Sequence, residues 1–179
     1  MTALIIISVV ALILVLMYNS LVKSRNYSIE AEKQIDVALQ DRAELIPNLV
    51  ATVKGYAKHE SEVLRGVTEA RSAFANATTL AERNEAINQF NSSLPAFMVT
   101  AESYPELRAS ENFAKLQDSL TDTQQTVFSM RRHYNSTTND YNTKVQSFPT
   151  NILAGIFGFK VRELLEVPEE LKKNPKVEF

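Results

Sequence analysis

The sequence predicts an all-α protein in which an N-terminal transmembrane helix is followed by an antiparallel up-and-down four-helix bundle. Three observations carry this. The chain opens on a long apolar run, and all 19 Lys and Arg and all 21 Asp and Glu lie after residue 22. Beyond the run, apolar residues recur at alternating steps of three and four, the spacing of amphipathic helices packed on one another. Only 4 glycines occur, and Val67 to Ala154 holds none, as suits long helices joined by few tight turns. The expected organisation is an anchor over 1–22, the bundle over 23–148, and an apolar segment with a C-terminal tail over 149–179.

Met1 to Met17 reads MTALIIISVVALILVLM, with Thr2 and Ser8 as mildly polar interruptions. As a helix, Met1 to Val22 would run about 33 Å against a hydrocarbon core of roughly 30 Å, with Tyr18 near one interface. No Lys or Arg precedes the run and MYNSLVKS is a poor cleavage site, so an uncleaved single-pass membrane anchor is expected. Lys23, Arg25 and Lys33 follow the span and favour a C-terminal domain on the cytoplasmic side.

The first bundle helix continues out of the membrane toward Leu45, with Ile35, Leu39 and Ile46 as its stripe. Pro47 suits the first turn of a second helix, whose ladder is Leu49, Val53, Tyr56, Glu60, Val63, Val67, Ala70, Phe74 and Ala77. Thr79-Leu-Ala-Glu82 has the spacing of a capping box and opens a third helix striped by Leu80, Ile87, Phe90, Leu94, Phe97, Ala101 and Tyr104. Pro95 should kink that helix or split it near Ser92 and Ser93. Ser103-Tyr-Pro-Glu106 repeats the capping spacing before a fourth helix, Glu106 to Val145, with Phe113, Leu116, Leu120, Thr123, Val127, Met130, Tyr134, Thr137, Tyr141, Val145 and Phe148 in its seam. Short connections force antiparallel neighbours.

This topology brings the Ile46-Pro47-Asn48 turn and the Tyr104-Pro105 turn together on one surface far from the membrane. The segment from Phe148 to Phe159 is apolar but too short to span. It either lies in the interface as a second lipid contact or folds back to cap the bundle. Val161 to Phe179, with Pro168 and Pro175, reads as a tail.

A net charge of −2 supplies no field for nucleic-acid binding. The 0 cysteines remove disulfides, thiolate zinc sites and thiol catalysis. Of the 2 histidines, His59 has valine at position 63 instead of a second zinc ligand, and His133 lacks a carboxylate three or four positions earlier. Gly155-Ile-Phe-Gly158 is no phosphate loop. Asp36 and Glu60 stand at partly apolar positions and suit structural ion pairs with Arg42, Arg131 or Arg132. Tyr134-Asn135 and Tyr141-Asn142 recur seven residues apart, which sets two tyrosines in one seam with an asparagine beside each. Seam packing with the hydroxyls reaching polar partners is the simplest use of such a pattern. No catalytic residue, metal site or cofactor is expected.

Ile35-Asp-Val-Ala-Leu-Gln-Asp-Arg-Ala-Glu-Leu-Ile-Pro-Asn-Leu-Val50, Thr52-Val-Lys-Gly-Tyr-Ala-Lys-His-Glu60 and Val67-Thr-Glu-Ala-Arg71 closely resemble LemA proteins. So do Ala101 to Arg108, Glu111-Asn-Phe113, Arg131-Arg-His-Tyr-Asn135, Asp140 to Lys144, Ser147-Phe-Pro149 and Ala154-Gly-Ile-Phe-Gly-Phe159. The chain departs from the family pattern at Glu32, where a tryptophan is usual, at Gln40-Asp41, where a basic run is usual, and at Pro95. The resemblance implies a bacterial single-pass membrane protein with a helical bundle and no established catalytic activity. By family habit it implies association with membrane metallopeptidases and TPM-domain proteins, in envelope maintenance or stress.

The function expected is therefore a non-catalytic, membrane-tethered interaction module. Its candidate partner-binding residues are Leu45, Ile46, Pro47, Asn48, Tyr104, Pro105, Arg108 and Asn112 on one face. On the other they are Tyr134, Asn135, Tyr141 and Asn142. The alternative is a self-associating structural protein forming membrane-attached oligomers through its heptad seams.

Overall fold

The computed structural model describes residues 1–55 and 61–165, with the backbone alone for residues 61–64, 100 and 102. Among the described residues all regular structure is helical: α1 (Thr2–Lys54), α2 (Ser61–Asn76), α3 (Leu80–Glu102), α4 (Pro105–Arg108), α5 (Glu111–Gln146) and α6 (Thr150–Ile156). Tyr56, His59, Glu60, Pro168, Pro175 and the side chain of Val63 lie outside the described residues. The chain forms two compact units. One comprises Met1–Glu32 with the chain from Arg131 onward, the other Lys33–Met130, and α1 and α5 contribute to both.

In the first unit α1 changes character along its length. Its large apolar side chains from Leu4 to Leu16 lie open, and an 18-residue stretch reaches a mean hydropathy of 2.6, making α1 long and apolar enough to cross a membrane. From Leu21 the same helix is packed: Leu21, Ser24, Ser28 and Ala31 are buried at steps of three and four, opposite a second half of α5 that buries Arg131, Tyr134, Thr138 and Tyr141. Polar groups within this seam pair with one another. The Ser28 and Thr138 hydroxyls lie 2.7 Å apart, and Lys144 Nζ donates to Ser20 Oγ at 3.2 Å. Leu153 and Ala154 of α6 close a small cluster with Leu21, flanked by Met17, Val145 and Phe159. Gly158, at φ +70°, ends α6 in the left-handed conformation that glycine takes without a Cβ penalty, and Phe159 N donates back to the Ala154 carbonyl at 2.9 Å.

In the second unit the α1 stripe continues through Ile35, Leu39, Arg42, Ile46, Leu49 and Val53, all buried. Val67, Ala70 and Phe74 of α2 and Ile87, Phe90 and Phe97 of α3 are buried with it, as are Phe113, Leu116, Leu120 and Val127 of α5. α2 and α3 pack on each other, with Gly66 facing Ser93 across the contact. The Thr79–Glu82 capping box is formed: Glu82 N donates to Thr79 Oγ1 at 3.2 Å, and Glu82 Oε2 accepts from Thr79 N at 3.0 Å and from Thr78 N at 2.7 Å. These donors hold the Glu82 carboxyl below its ordinary pKa.

Several expectations are corrected. Pro47 does not begin a helix and no turn forms at Ile46-Pro47-Asn48; α1 runs through it to Lys54. An interior proline costs about 3 kcal/mol, whereas continuing the helix buries Leu49 and Val53 in register with Ile46, each worth about 1.5–3 kcal/mol. α3 is not split near Ser92 and Ser93 and continues through Pro95. The expected fourth helix is divided at Ala109 and Ser110 into α4 and α5, and Tyr104 precedes α4 with no side-chain cap, so the second capping box does not form. In the α5 seam Arg131 and Thr138 are buried where Met130 and Thr137 were expected, and Phe148 lies open beyond the end of the helix. Asp36 pairs with Arg83 rather than with Arg42, Arg131 or Arg132. Residues 160–165 are not a free tail.

Candidate functional site

The α5 heptad positions Tyr134 and Tyr141, with Asn135 and Asn142 beside them, along one side of an extended segment, residues 160–165. Asn142 Nδ2 donates to the Arg162 carbonyl and its Oδ1 accepts from Arg162 N, both at 2.8 Å. Asn135 treats Leu165 in the same way, both bonds at 2.9 Å. Tyr141 and Tyr134 donate their phenols to the Lys160 and Glu163 carbonyls at 2.8 Å. The match is one of length. Seven helical residues rise about 10.5 Å, and three extended residues cover about 10 Å. One heptad therefore meets three residues of extended chain running antiparallel to it.

Every one of these six bonds is to backbone, so the ladder reads an extended peptide without reading its sequence. Burial raises the Tyr141 pKa against the opposing charges of Arg25 and Arg162, which keeps the phenol a proton donor toward Lys160. Burial lowers the pKa of Arg131 from its ordinary value. The Arg162 side chain pairs with Glu32 of α1, so one residue of the segment is tied to both long helices of this unit. Tyr134, Asn135, Tyr141 and Asn142 are thus brought together as a set, and the peptide on them is the chain's own.

The second unit centres on Arg42, which is 2% exposed. Its Nη1 donates to the Leu120 carbonyl at 2.5 Å and to Thr123 Oγ1 at 3.0 Å, while Nε and Nη2 both donate to Asn91 Oδ1 at 3.1 and 2.6 Å. The guanidinium carbon lies 5.5 Å from the centre of the Phe90 ring. A planar fork reaching α3 and α5 at once uses a geometry that lysine lacks. Arg42 also forms one wall of an open cleft of about 820 Å³, with Arg108, Met98, Phe113 and Gln117. Gln124 lines the same cleft, and its buried Oε1 has no hydrogen-bond partner.

Two of the remaining sequence candidates, Arg108 and Pro47, line clefts. Arg108 lines the Arg42 cleft, whereas Pro47 lines a smaller one of about 300 Å³ with Glu44, Arg71, Phe74 and Arg83. Ile46 is buried and Leu45 and Tyr104 are half-buried, while Asn48, Pro105 and Asn112 are exposed. Among the described residues no three histidine or carboxylate side chains gather as a metal-binding set. Sequence reasoning missed Asn91, Gln124, Ser28 and Thr138. The α1 positions 21, 24, 28, 31, 35 and 42 keep one heptad register whatever their polarity, a signal that points to Ser28 and Arg42 as seam residues.

The profile of the LemA family matches residues 31–179. The chain is 26% identical over 137 residues to protein LemA of Metamycoplasma hominis, covering 76% of this chain and 63% of that protein. It is 23% identical over 189 residues to magnetosome protein MamQ 2 of Paramagnetospirillum magneticum, covering 90% of this chain and 70% of that one. Magnetosome protein MamQ of Magnetospirillum gryphiswaldense is 24% identical over 188 residues, covering 89% and 69%. The chain therefore spans about two thirds of the length of these relatives.

Proposed function

Because the chain belongs to the LemA family, we propose that it is a single-pass, membrane-anchored scaffold of the bacterial cell envelope that binds a protein partner and performs no catalysis. The observation that carries the reading is the continuity of α1. One unbroken helix bears an open apolar stretch of membrane-spanning length and then, from Leu21, the buried seam of a folded unit. Such a helix fixes a folded body to the bilayer without a flexible linker. In this reading the helices pack up and down as a four-helix bundle and lie on the cytoplasmic side, as Lys23, Arg25 and Lys33 favour. The partner is a protein of the same membrane, a metallopeptidase or a TPM-domain protein, in envelope stress or membrane-protein quality control.

The test of side uses the absence of native cysteine. Ser110→Cys in the full chain should resist an impermeant thiol reagent in intact cells and react after permeabilisation. Labelling in intact cells would place the body outside and overturn the cytoplasmic assignment. A photo-crosslinking residue at Asn48 or Asn112 should join the protein to a membrane metallopeptidase or TPM-domain protein. Crosslinks only between copies of the chain would favour the self-associating alternative.

A further inference from the structure

α6 lies against α1 where the apolar run ends. Leu153 and Ala154 face Leu21, with Met17 and Phe159 around them, and the Tyr18 ring stands 4.8 Å from that of Phe157 and 5.9 Å from that of Phe159. The other side of this short element is bare. Phe148 is 80% exposed, Ile152 56%, Ile156 70% and Phe157 56%; Ile152 and Ile156 stand four residues apart on one face of α6, with Phe148 in the turn just before the helix. No charged residue occurs between Lys144 and Lys160. Lys23, Arg25 and Lys160 are exposed around the patch, with the Arg25 guanidinium 6.0 Å from the Phe159 ring centre.

We propose that α6 and Phe157 form a second membrane contact, an interfacial foot whose exposed face enters the boundary between lipid headgroups and acyl chains beside the span. The proposal rests on the reading of residues 2–22 as that span. The depth follows from it. Thr2 to Met17 rises about 22 Å of a hydrocarbon core of roughly 30 Å, so the level of Met17 to Leu21 is the edge of the acyl region. α6 packs at that level, through Leu153 and Ala154 against Leu21 and Phe157 against Tyr18. Its apolar face is continuous with the lipid-facing surface of α1, Tyr18 and Phe157 are the amphipathic or aromatic rings that favour the interface, and the lysines and arginine stand where phosphates would meet them. A water-facing patch with four large apolar side chains has no such continuity to explain it, and a lipid surface fits both the depth and the charge pattern.

The test uses the full chain reconstituted in phosphatidylcholine–phosphatidylglycerol vesicles, with single cysteines carrying an environment-sensitive NBD fluorophore at Leu12, Ile156 and Asp140. Leu12 reports on the span, Ile156 on the exposed face of α6, and Asp140 on a water-facing site of α5. The expected result is that Ile156→Cys is quenched at least threefold more by nitroxide near the top of the acyl chains than is Asp140→Cys, and is shielded from aqueous iodide. Leu12→Cys should respond to nitroxide placed deeper. Ile152→Cys repeats the reading at a second exposed position of the same face. If Ile156 and Ile152 behave as Asp140 does while Leu12 lies in lipid, the foot is refuted and the span stands. Shielding from both quenchers would mean that protein covers α6, a second copy or another partner, and would also refute it. Iodide quenching at Leu12 would overturn the span and the foot together.

Discussion

Asn142→Ala isolates one rung of the ladder. The substitution removes the two bonds between the Asn142 amide and the Arg162 backbone, each 2.8 Å long, and leaves Asn135 and both tyrosines in place. A net value of about 0.5–1.5 kcal/mol for each bond predicts a local loss of about 1–3 kcal/mol, or roughly a 5- to 150-fold rise in the open population of the segment. The event is local, because the rung holds a short extended segment while the buried seam of Leu21, Ser28, Thr138 and Tyr141 keeps its own packing. Amide hydrogen exchange in micelles reads it directly. The Arg162 amide, whose acceptor is Asn142 Oδ1, should exchange one to two orders of magnitude faster, on the scale just given. Leu165, held by Asn135, should speed up less, and the amides of α5 should not change. Asn135→Ala should reverse the order of the two. Unchanged exchange at Arg162 would refute the ladder as the force that holds the segment. Uniform acceleration throughout α5 would show instead that the rung belongs to the global core.

Three further outcomes follow from the seams. Glu82 is held below its ordinary pKa, first by the backbone amides of Thr78 and Thr79, so its contribution is complete above the ordinary carboxylate value near 4.5 and is lost as pH falls through the lower folded value. The stability gap between the natural chain and Glu82→Gln should be constant at neutral pH and close in acid, and a gap that persists in acid in thermal melts would sink this account. Arg42→Ala leaves Asn91 Oδ1 and Thr123 Oγ1 without their guanidinium donors, while the Leu120 carbonyl keeps the Thr123 hydroxyl, and should cost about 2–4 kcal/mol in denaturant titrations. Arg42→Lys should recover less than half of it, since one ammonium cannot fork between two helices, and full recovery would argue against the fork. Ser28→Ala and Thr138→Val should each cost about 1–2 kcal/mol by orphaning the other hydroxyl, while the double variant should lie close to the natural chain; strict additivity of the two losses would exclude the pairing.

The apolar ladders were legible in the sequence because burial follows side-chain hydropathy at Ile35, Leu39, Val67, Phe74, Phe90, Phe113 and Val127. The polar members of the same ladders were not. Ser24, Ser28, Arg42 and Thr138 sit at seam positions that hydropathy assigns to solvent, and the last three bond to partners on distant helices, a coupling that a local pattern does not contain. Pro47 misled for a related reason: its helix-breaking tendency is local, whereas the burial of Leu49 and Val53 that outweighs it is tertiary. The Tyr-Asn repeat was visible as a spacing, and its four residues do act as a set. What they hold lies 19 to 30 residues away, and extended chain paired to side chains rather than to a strand leaves no alternation to read.

The polar seam also answers a question that an apolar one leaves open, which is why α1 and α5 meet in one register within the first unit. Heptads of small and aliphatic side chains tolerate a shift of one turn with modest loss, and polar seam residues are the usual means of excluding it. Here a one-turn slip of about 5.4 Å would separate Ser28 from Thr138 and leave two buried hydroxyls unpaired, at about 1–3 kcal/mol each. It would also part Glu32 of α1 from Arg162, whose backbone is fixed to α5 by Asn142. The extended segment therefore works as a tie between the helix that bears the apolar span and the helix beside it. An axial pull on α1 must break the hydroxyl pair and the ion pair before the helices can slide, which holds the folded part of the unit at a fixed distance from the open apolar run.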